Sequence, residues 1–421
     1  MASQVIPTGR SLAHQPEVTG GVRYVARQPI LNQRGQVHGY ELLFRSGPNA
    51  FFQGDGELAT RTMLDNAVMF GLGKLTGGLP AFFNCTAESL TRELVDVLPS
   101  SMTILEVLET LEPTPCLIEA CRKLKASGFR IALDDFVWRP ELQPLVKLAD
   151  YIKVDFLLTG AEERKVLLKR LKGESVALVA EKVETQEEYV QACCEGFTLF
   201  QGYYFCRPIL LENQQIPANR LSHIEILQLM RDESMDLKKL TQLVKRDASL
   251  TYRLLRLVNS PIYAFREQVR SVQAALIAVG ENTFRRIATL AITSELNAGQ
   301  PVEILRMAFV RGRFCELAAA FSGMDQTEQY LLGLLSLLPA MLRVPMEQLT
   351  PMLPLRDEIR LALEGTNNAE RILLEWLEAE EQGDWPTCDA VVQQYGLNVA
   401  GMVKCYAEAV EWAEAALRSV A

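Results

Sequence analysis

The chain has 421 residues, which is long for one domain and suits two. With 48% hydrophobic and 23% charged residues it has the make-up of an ordinary soluble globular protein. The net charge of −9 divides as −4 over residues 1–213 and −5 over 214–421, so bulk charge excludes a nucleic-acid binder in either half. It does not exclude a phosphate ligand, because a bound divalent cation inverts the local field.

The first 20 residues lack the apolar stretch of a signal peptide and read as a flexible leader. From Val22 to about Arg207, strand-like runs alternate with helical ones. The first two strands, Val22–Ile30 and Gln36–Phe44, flank the turn-rich LNQRG and suit a hairpin, which makes the first strand antiparallel to the rest. Helices are expected over Glu57–Leu75, Ala87–Val97, Pro115–Ser127, Glu141–Ala149, Ala161–Lys172 and Gln186–Glu195. Between them, Ala81–Asn84, Thr103–Val107, Arg130–Asp134 and Val176–Ala180 are apolar at consecutive positions, as in strands covered on both faces. This alternation predicts a (β/α) barrel.

The polar segment LLENQQIPANR marks a domain boundary, giving 21–213 and 214–421. Beyond it strand signals vanish. Helical spacing recurs in Ile224–Met230, Leu237–Val244, Leu250–Val258, Ala274–Val279, Ile287–Leu296, Arg306–Ala320, Tyr330–Leu338 and Val399–Leu417, so this half is expected to be all-α.

Nine cysteines without a CxxC pair read as reduced cytosolic thiols, and no zinc spacing is visible. No apolar run approaches the roughly 20 residues of a membrane span, and the expected location is the cytoplasm.

Polar residues recur at or just past one strand after another: Glu41, Asn84, Glu106, Asp134 with Asp135, Lys153, Glu181 and Gln201. Taken singly, an acidic residue after a strand is usually a helix cap or a solvated loop residue. The series is different, because the C-terminal strand ends of such a barrel converge on one mouth. Carboxylates and an amide carbonyl there would suit hard cations such as Mg or Mn, and paired ions would clamp a phosphodiester. The residues alone therefore point to metal-dependent phosphoester hydrolysis.

The strings ARQPI, YELLFR, FFN, LEVLE, ALDDF, IKVD, AEKVET and FQGYYFCRP make residues 22–213 resemble the EAL domain, the cyclic di-GMP phosphodiesterase family. The resemblance implies that Glu41, Asn84, Glu106 and Asp134 ligate a first metal. Asp135 serves a second, with Asp155 close by. Lys153 positions or deprotonates the attacking water, and Glu181 and Gln201 complete the site. Gln28 and Arg45 contact the dinucleotide, and Glu109 anchors the loop after Asp135. The expected reaction is hydrolysis of cyclic di-GMP to pGpG with Mg or Mn, and the family's habit of pairing implies a homodimer.

Four departures stand against turnover: Leu42 in the signature triplet, Val137 after DDF, WRPELQP (138–144) in place of a Gly-rich loop, and Lys182 where AEGVE has Gly. Hydrolysis and binding without hydrolysis both remain open, as does a scaffold that binds no nucleotide.

Through KRDASL, LLRLVNS and SVQAALIAVG, residues 214–421 resemble the HDOD domain, a degenerate relative of the HD phosphohydrolases. Where those enzymes carry a His-Asp dyad, this chain reads GLLSLLP, with Ser336 and Leu337 at the dyad positions. The resemblance implies a non-catalytic module that engages an unidentified protein partner. His223 is expected to be solvated or capping, and Arg285 with Arg286 to lie on a solvated face.

Overall fold

The computed structural model describes residues 23–46, 72–206, 218–229, 237–263, 268–353 and 355–420. The leader, most of the helix expected over Glu57–Leu75, and the boundary segment 207–217 lie outside the described residues.

Eight strands close into a barrel in chain order: β1 (Arg23–Asn32), β2 (Val37–Ser46), β3 (Ala81–Cys85), β4 (Thr103–Val107), β5 (Arg130–Leu133), β6 (Tyr151–Asp155), β7 (Ala177–Glu181) and β8 (Leu199–Gln201). β1 runs antiparallel to both β2 and β8, as the hairpin reading expects, and the other pairings are parallel. Helices α1 (Leu72–Thr76), α2 (Ala87–Thr91), α3 (Pro115–Ala126), α4 (Gln143–Val146), α5 (Ala161–Leu171) and α6 (Gln186–Glu195) lie among the strands in sequence. The helix expected over Glu141–Ala149 shortens to a 3-10 turn at Pro140–Leu142 followed by α4.

Side chains at alternate strand positions point into the barrel. Ile30, Phe82, Ile104, Ala132, Tyr151, Val179 and Leu199 fill one interior layer. Two residues further along the parallel strands come Asn84, Glu106, Asp134, Lys153, Glu181 and Gln201. On β1, whose direction is reversed, the matching step from Ile30 leads back to Gln28, and on β2 it leads from Gly39 to Glu41. Asp134 lies just beyond β5, but its amide still donates to the Val107 carbonyl (3.0 Å), which keeps it in register. An apolar plug thus supports a polar layer at the mouth, and one register sets both.

The second half is all-α: α7 (Ala218–Leu229), α8 (Leu237–Arg246), α9 (Ala248–Val258), α10 (Val272–Val279), α11 (Glu281–Leu296), α12 (Val302–Ser322), α13 (Gln326–Leu335), α14 (Leu338–Leu342), α15 (Met346–Leu349), α16 (Asp357–Leu363), α17 (Ile372–Gln382), α18 (Trp385–Tyr395) and α19 (Val399–Val420). The sequence reading misses α14 to α18, since the expected helix Tyr330–Leu338 ends where α14 begins. In α17 the buried face runs from Ile372 to Glu381 but ends in two carboxylates, Glu380 and Glu381, so the apolar pattern stops short of the helix end. Pro386, which reads as a breaker, sits in the first turn of α18, where its missing N–H costs no hydrogen bond. Among the described residues no single helix is long and apolar enough to cross a membrane.

The outer faces of β1 and β2 pack on the helical domain. Tyr40 donates to Glu303 Oε2 (2.9 Å), Arg306 pairs with Glu303 and with Glu414 (2.8 Å), and Arg27 donates to the Leu75 carbonyl (2.8 Å) beside Glu414 (3.6 Å). Alternation on β1 therefore sends Gln28 toward the mouth and Arg27 toward the interface.

Within the helical domain α12 and α13 cross closely at Gly333, where a Cβ would stand 2.3 Å from the Arg311 carbonyl oxygen. Gly333→Ala is expected to destabilise the protein by about 1–3 kcal/mol through overpacking. The denaturant midpoint should fall accordingly, and an unchanged midpoint would show that the crossing can yield.

Candidate functional site

The polar layer is organised around one ammonium. Lys153, with 0% exposure, places Nζ 2.6 Å from Glu106 Oε1, 2.7 Å from Asp134 Oδ1, 2.8 Å from Glu181 Oε1 and 3.1 Å from Glu41 Oε2. Glu41 also accepts from Gln201 Nε2 (2.7 Å) and Asn84 Nδ2 (3.2 Å). Burial opposes the charge on Lys153, but the surrounding carboxylates outweigh it and hold the ammonium well above its ordinary value.

Four carboxylates share this single cation, so they do not all ionise easily. Burial, then Glu41 and Asp134, push Glu106 well up; burial lifts Glu181 to about 8. Glu41 goes the other way, because Lys153, Gln201 and Asn84 together outweigh its burial.

The layer is short of positive charge in a second sense. Asn84 Oδ1, both Glu106 oxygens, Glu181 Oε2 and Gln201 Oε1 are buried without a hydrogen-bond partner; Glu106 Oε1 touches the ammonium only as an ion pair. All five atoms are oxygen acceptors, the donor set a hard divalent cation takes. The residues therefore fit Mg or Mn. Among the described residues no three His, Cys, Asp or Glu side chains already stand in an ion-holding arrangement. Lys153 holds the centre instead, and an arriving ion must draw oxygens away from it.

A smaller cluster lies beside the first. Asp155 Oδ1 accepts the amides of Leu157 (2.7 Å) and Leu158 (2.9 Å), and Oδ2 contacts the Lys182 ammonium. Burial works against ionisation of Asp155, but Lys182 and the two amides hold its carboxyl below the usual range. Burial and then Asp134 raise Asp135. Asp135 and Lys182 both adopt left-handed backbone, at φ +40° and +54°. Lys182, where the family string has Gly, thus reaches a mouth carboxylate with its side chain still half exposed.

Gln28 joins the layer to the helical domain. Its Oε1 accepts from Gln201 Nε2 (2.9 Å), while its Nε2 donates to the Gln382 carbonyl at the end of α17 (3.0 Å). The sequence reading does not anticipate this contact, because α17 is not among the expected helices. The Arg45 side chain lies outside the described residues.

The altered loop borders the site through Val137 and Arg139, while its Trp turns away. Trp138 meets Phe136 edge-on (6.4 Å between ring centres) and lies beneath Arg170 of α5, on the helix side of the barrel. Glu109 meets this loop through its main chain, its carbonyl accepting from Arg139 Nη2 (3.4 Å). Glu109, Asp134, Asp135, Val137 and Arg139 line a cavity of about 200 Å³. Leu42 is buried on the outward face of β2, away from the polar layer.

In the helical domain the dyad position is part of a buried ion cluster. Ser336 Oγ accepts from Arg311 Nη1 (3.1 Å) and donates to the Gly333 carbonyl (2.8 Å). Arg311 also pairs with Glu381 (2.7 Å) and Glu378 (3.2 Å). Two sequence readings are corrected here. His223 is neither solvated nor capping: it is buried, with Nε2 2.8 Å from Asp247 Oδ2. The solvated face expected for Arg285 and Arg286 is partly covered: their side chains keep 16% and 36% exposure, and Arg285 pairs with Glu281 (2.7 Å) and Arg286 with the buried Glu316.

Residues 58–208 match the EAL domain and residues 216–373 the HDOD domain. The uncharacterised protein YuxH of Bacillus subtilis is 34% identical over 400 residues, covering 92% of this chain and 97% of its own length. The chain belongs to the two-domain EAL–HDOD family. A second relative of this EAL–HDOD protein, the cyclic di-GMP phosphodiesterase CdgJ of Vibrio cholerae, is 32% identical over 398 residues, covering 93% of this chain and 92% of its own. The crystal structure of an EAL domain protein from Listeria monocytogenes aligns with 44% of the chain and 87% of its own at 23% identity and a TM-score of 0.36.

The raised Glu181 carboxyl gives a signed prediction. Its folded value, about 8 against an ordinary 4.5, means that the folded state binds more protons between those values. Its contribution to stability is therefore lost as pH rises through that window. In chelator, Glu181→Gln should gain stability relative to the parent from pH 4.5 to about 8, by at most about 1.4 kcal/mol per pH unit. Paired unfolding curves check this; a difference that stays flat would mean Glu181 is already ionised.

Proposed function

We propose that the barrel binds cyclic di-GMP at its polar layer and hydrolyses it to pGpG with Mg or Mn, and that the helical domain passes the bound state to a protein partner. The observation that carries this reading is the ring of four carboxylates on a buried ammonium, with five acceptor oxygens unpaired. Membership of the EAL–HDOD family and the named activity of CdgJ support it.

Glu41, Asn84, Glu106 and Asp134 would hold the ion. The bound ion would supply Lewis acidity and sharpen a water into a nucleophile. Of the two roles implied for Lys153, positioning fits better: an ammonium held well above its ordinary value is a poor base but a strong donor to a water or a phosphate oxygen. Glu181, with its raised value, suits holding or passing a proton near neutral pH. Water oxygen would join phosphorus, one ester P–O bond would break, and the proton would reach the departing ribose oxygen. Gln28 and Arg45 would grip the dinucleotide, and Asp135 would lie at the phosphate side of the mouth. A homodimer remains part of this proposal by family resemblance.

A chromatographic assay for pGpG, with Mg or Mn and then with chelator, tests the reaction. Asp134→Ala or Glu41→Ala should lower turnover on the order of 100-fold or more. Product formation equal to that of the parent sinks the enzyme reading. Nucleotide binding by calorimetry with no product favours a receptor, and no binding favours a scaffold.

Coupling to the helical domain has its own measurement. A nucleotide that takes the Gln28 amide must break its bond to the Gln382 carbonyl. Amide hydrogen exchange in the last turn of α17 and at Gly383–Trp385 should then rise on adding cyclic di-GMP. Unchanged exchange in a protein that does bind the nucleotide would remove this route.

A further inference from the structure

The smaller cluster is a completed ion pair, and its completeness bears on how many ions the mouth accepts. Both Asp155 oxygens are engaged, Oδ1 by two amides and Oδ2 by the Lys182 ammonium. The buried acceptors left without partners at the mouth belong to Asn84, Glu106, Glu181 and Gln201, and none is on Asp135 or Asp155. The charges divide in the same way. Around Lys153 four carboxyl groups share one ammonium. Lys182 pairs with one carboxylate, Asp155, with Asp135 and Glu181 also in its field. A divalent cation finds more carboxyl oxygens to draw on in the first cluster than in the second. Lys182 also holds its place at a backbone cost: φ +54° is left-handed, a region unfavourable for a residue with a side chain.

We propose that Lys182 is a built-in cation standing in for a second metal ion, so that the mouth takes up one divalent cation per chain. This rests on the reading above for the first ion. Lys182 is a positioning residue here. It fixes Asp155 and lowers the negative field at Asp135, and it leaves the ring around Lys153 as the place where an ion gains most.

Titration of the full chain with Mn²⁺, following free Mn²⁺ by its paramagnetic resonance and total binding by calorimetry, tests this without reference to activity. The parent should bind one ion. Lys182→Gly, which suits the left-handed backbone, and Lys182→Met, which keeps length without charge, should each bind two. The second ion, about 3.5–4 Å from the first, should broaden the isolated Mn²⁺ signal through magnetic coupling. Either variant alone suffices if the other fails to fold. Two ions in the parent overturn the inference and leave the proposed function standing. One ion in all three proteins overturns it as well, since the charge would then not be what excludes the second. No ion in any of them overturns both the inference and the metal-dependent function.

Discussion

The buried ammonium of Lys153 is the interaction on which the site depends. A lone ammonium at this depth would lose several kcal/mol of hydration, and the four carboxylates, three of them buried, would repel one another strongly without it. Together they are tolerable, although the raised values of Glu106 and Glu181 show that the balance is incomplete. The barrel can hold such a set because the layer below is dry and tightly filled, which keeps each strand, and so each carboxylate, in place. A site that is stable without its ion yet short of positive charge is prepared for a cation.

This explains how much of the site was legible. Each member of the polar layer follows an apolar residue by two positions, so strand periodicity alone puts Asn84, Glu106, Asp134, Lys153, Glu181 and Gln201 on one interior face. Sequence order then closes the barrel and brings them together. Pairings decided by side-chain reach were not legible. Whether Lys182 turns to Asp155 or to water depends on the left-handed backbone at that residue, and the burial of His223 depends on α9 presenting Asp247 to it. A helix whose buried face ends in carboxylates was not legible either, and α17 is the costly omission, since it meets the mouth.

The two domains are joined by more than apolar contact. Arg27, Tyr40, Glu303, Arg306 and Glu414 form one buried polar network between β1–β2 and helices α12 and α19. Removing any member leaves the others desolvated and short of a partner, which costs far more than the same change in a solvated pair. The outer face of the hairpin that carries Gln28 and Glu41 inward is thereby fixed to the helical domain. The helical domain is thus part of the support of the mouth.

The absent dyad fits the same arrangement. In the helical domain a guanidinium, Arg311, occupies the surroundings of Ser336, and it binds Glu378 and Glu381 on α17. One residue beyond Glu381, the Gln382 carbonyl takes the amide of Gln28, which accepts in turn from Gln201, the donor to Glu41. A continuous line of polar contacts therefore runs from the interior of the helical domain to the ring around Lys153. The links at the two ends are buried and expensive to leave unpaired, whereas the Gln28–Gln382 link between the domains is exposed and is the one that opens most cheaply. Ser336 stands where the dyad would be, and the ion cluster found in its surroundings secures the helix that touches the mouth of the barrel.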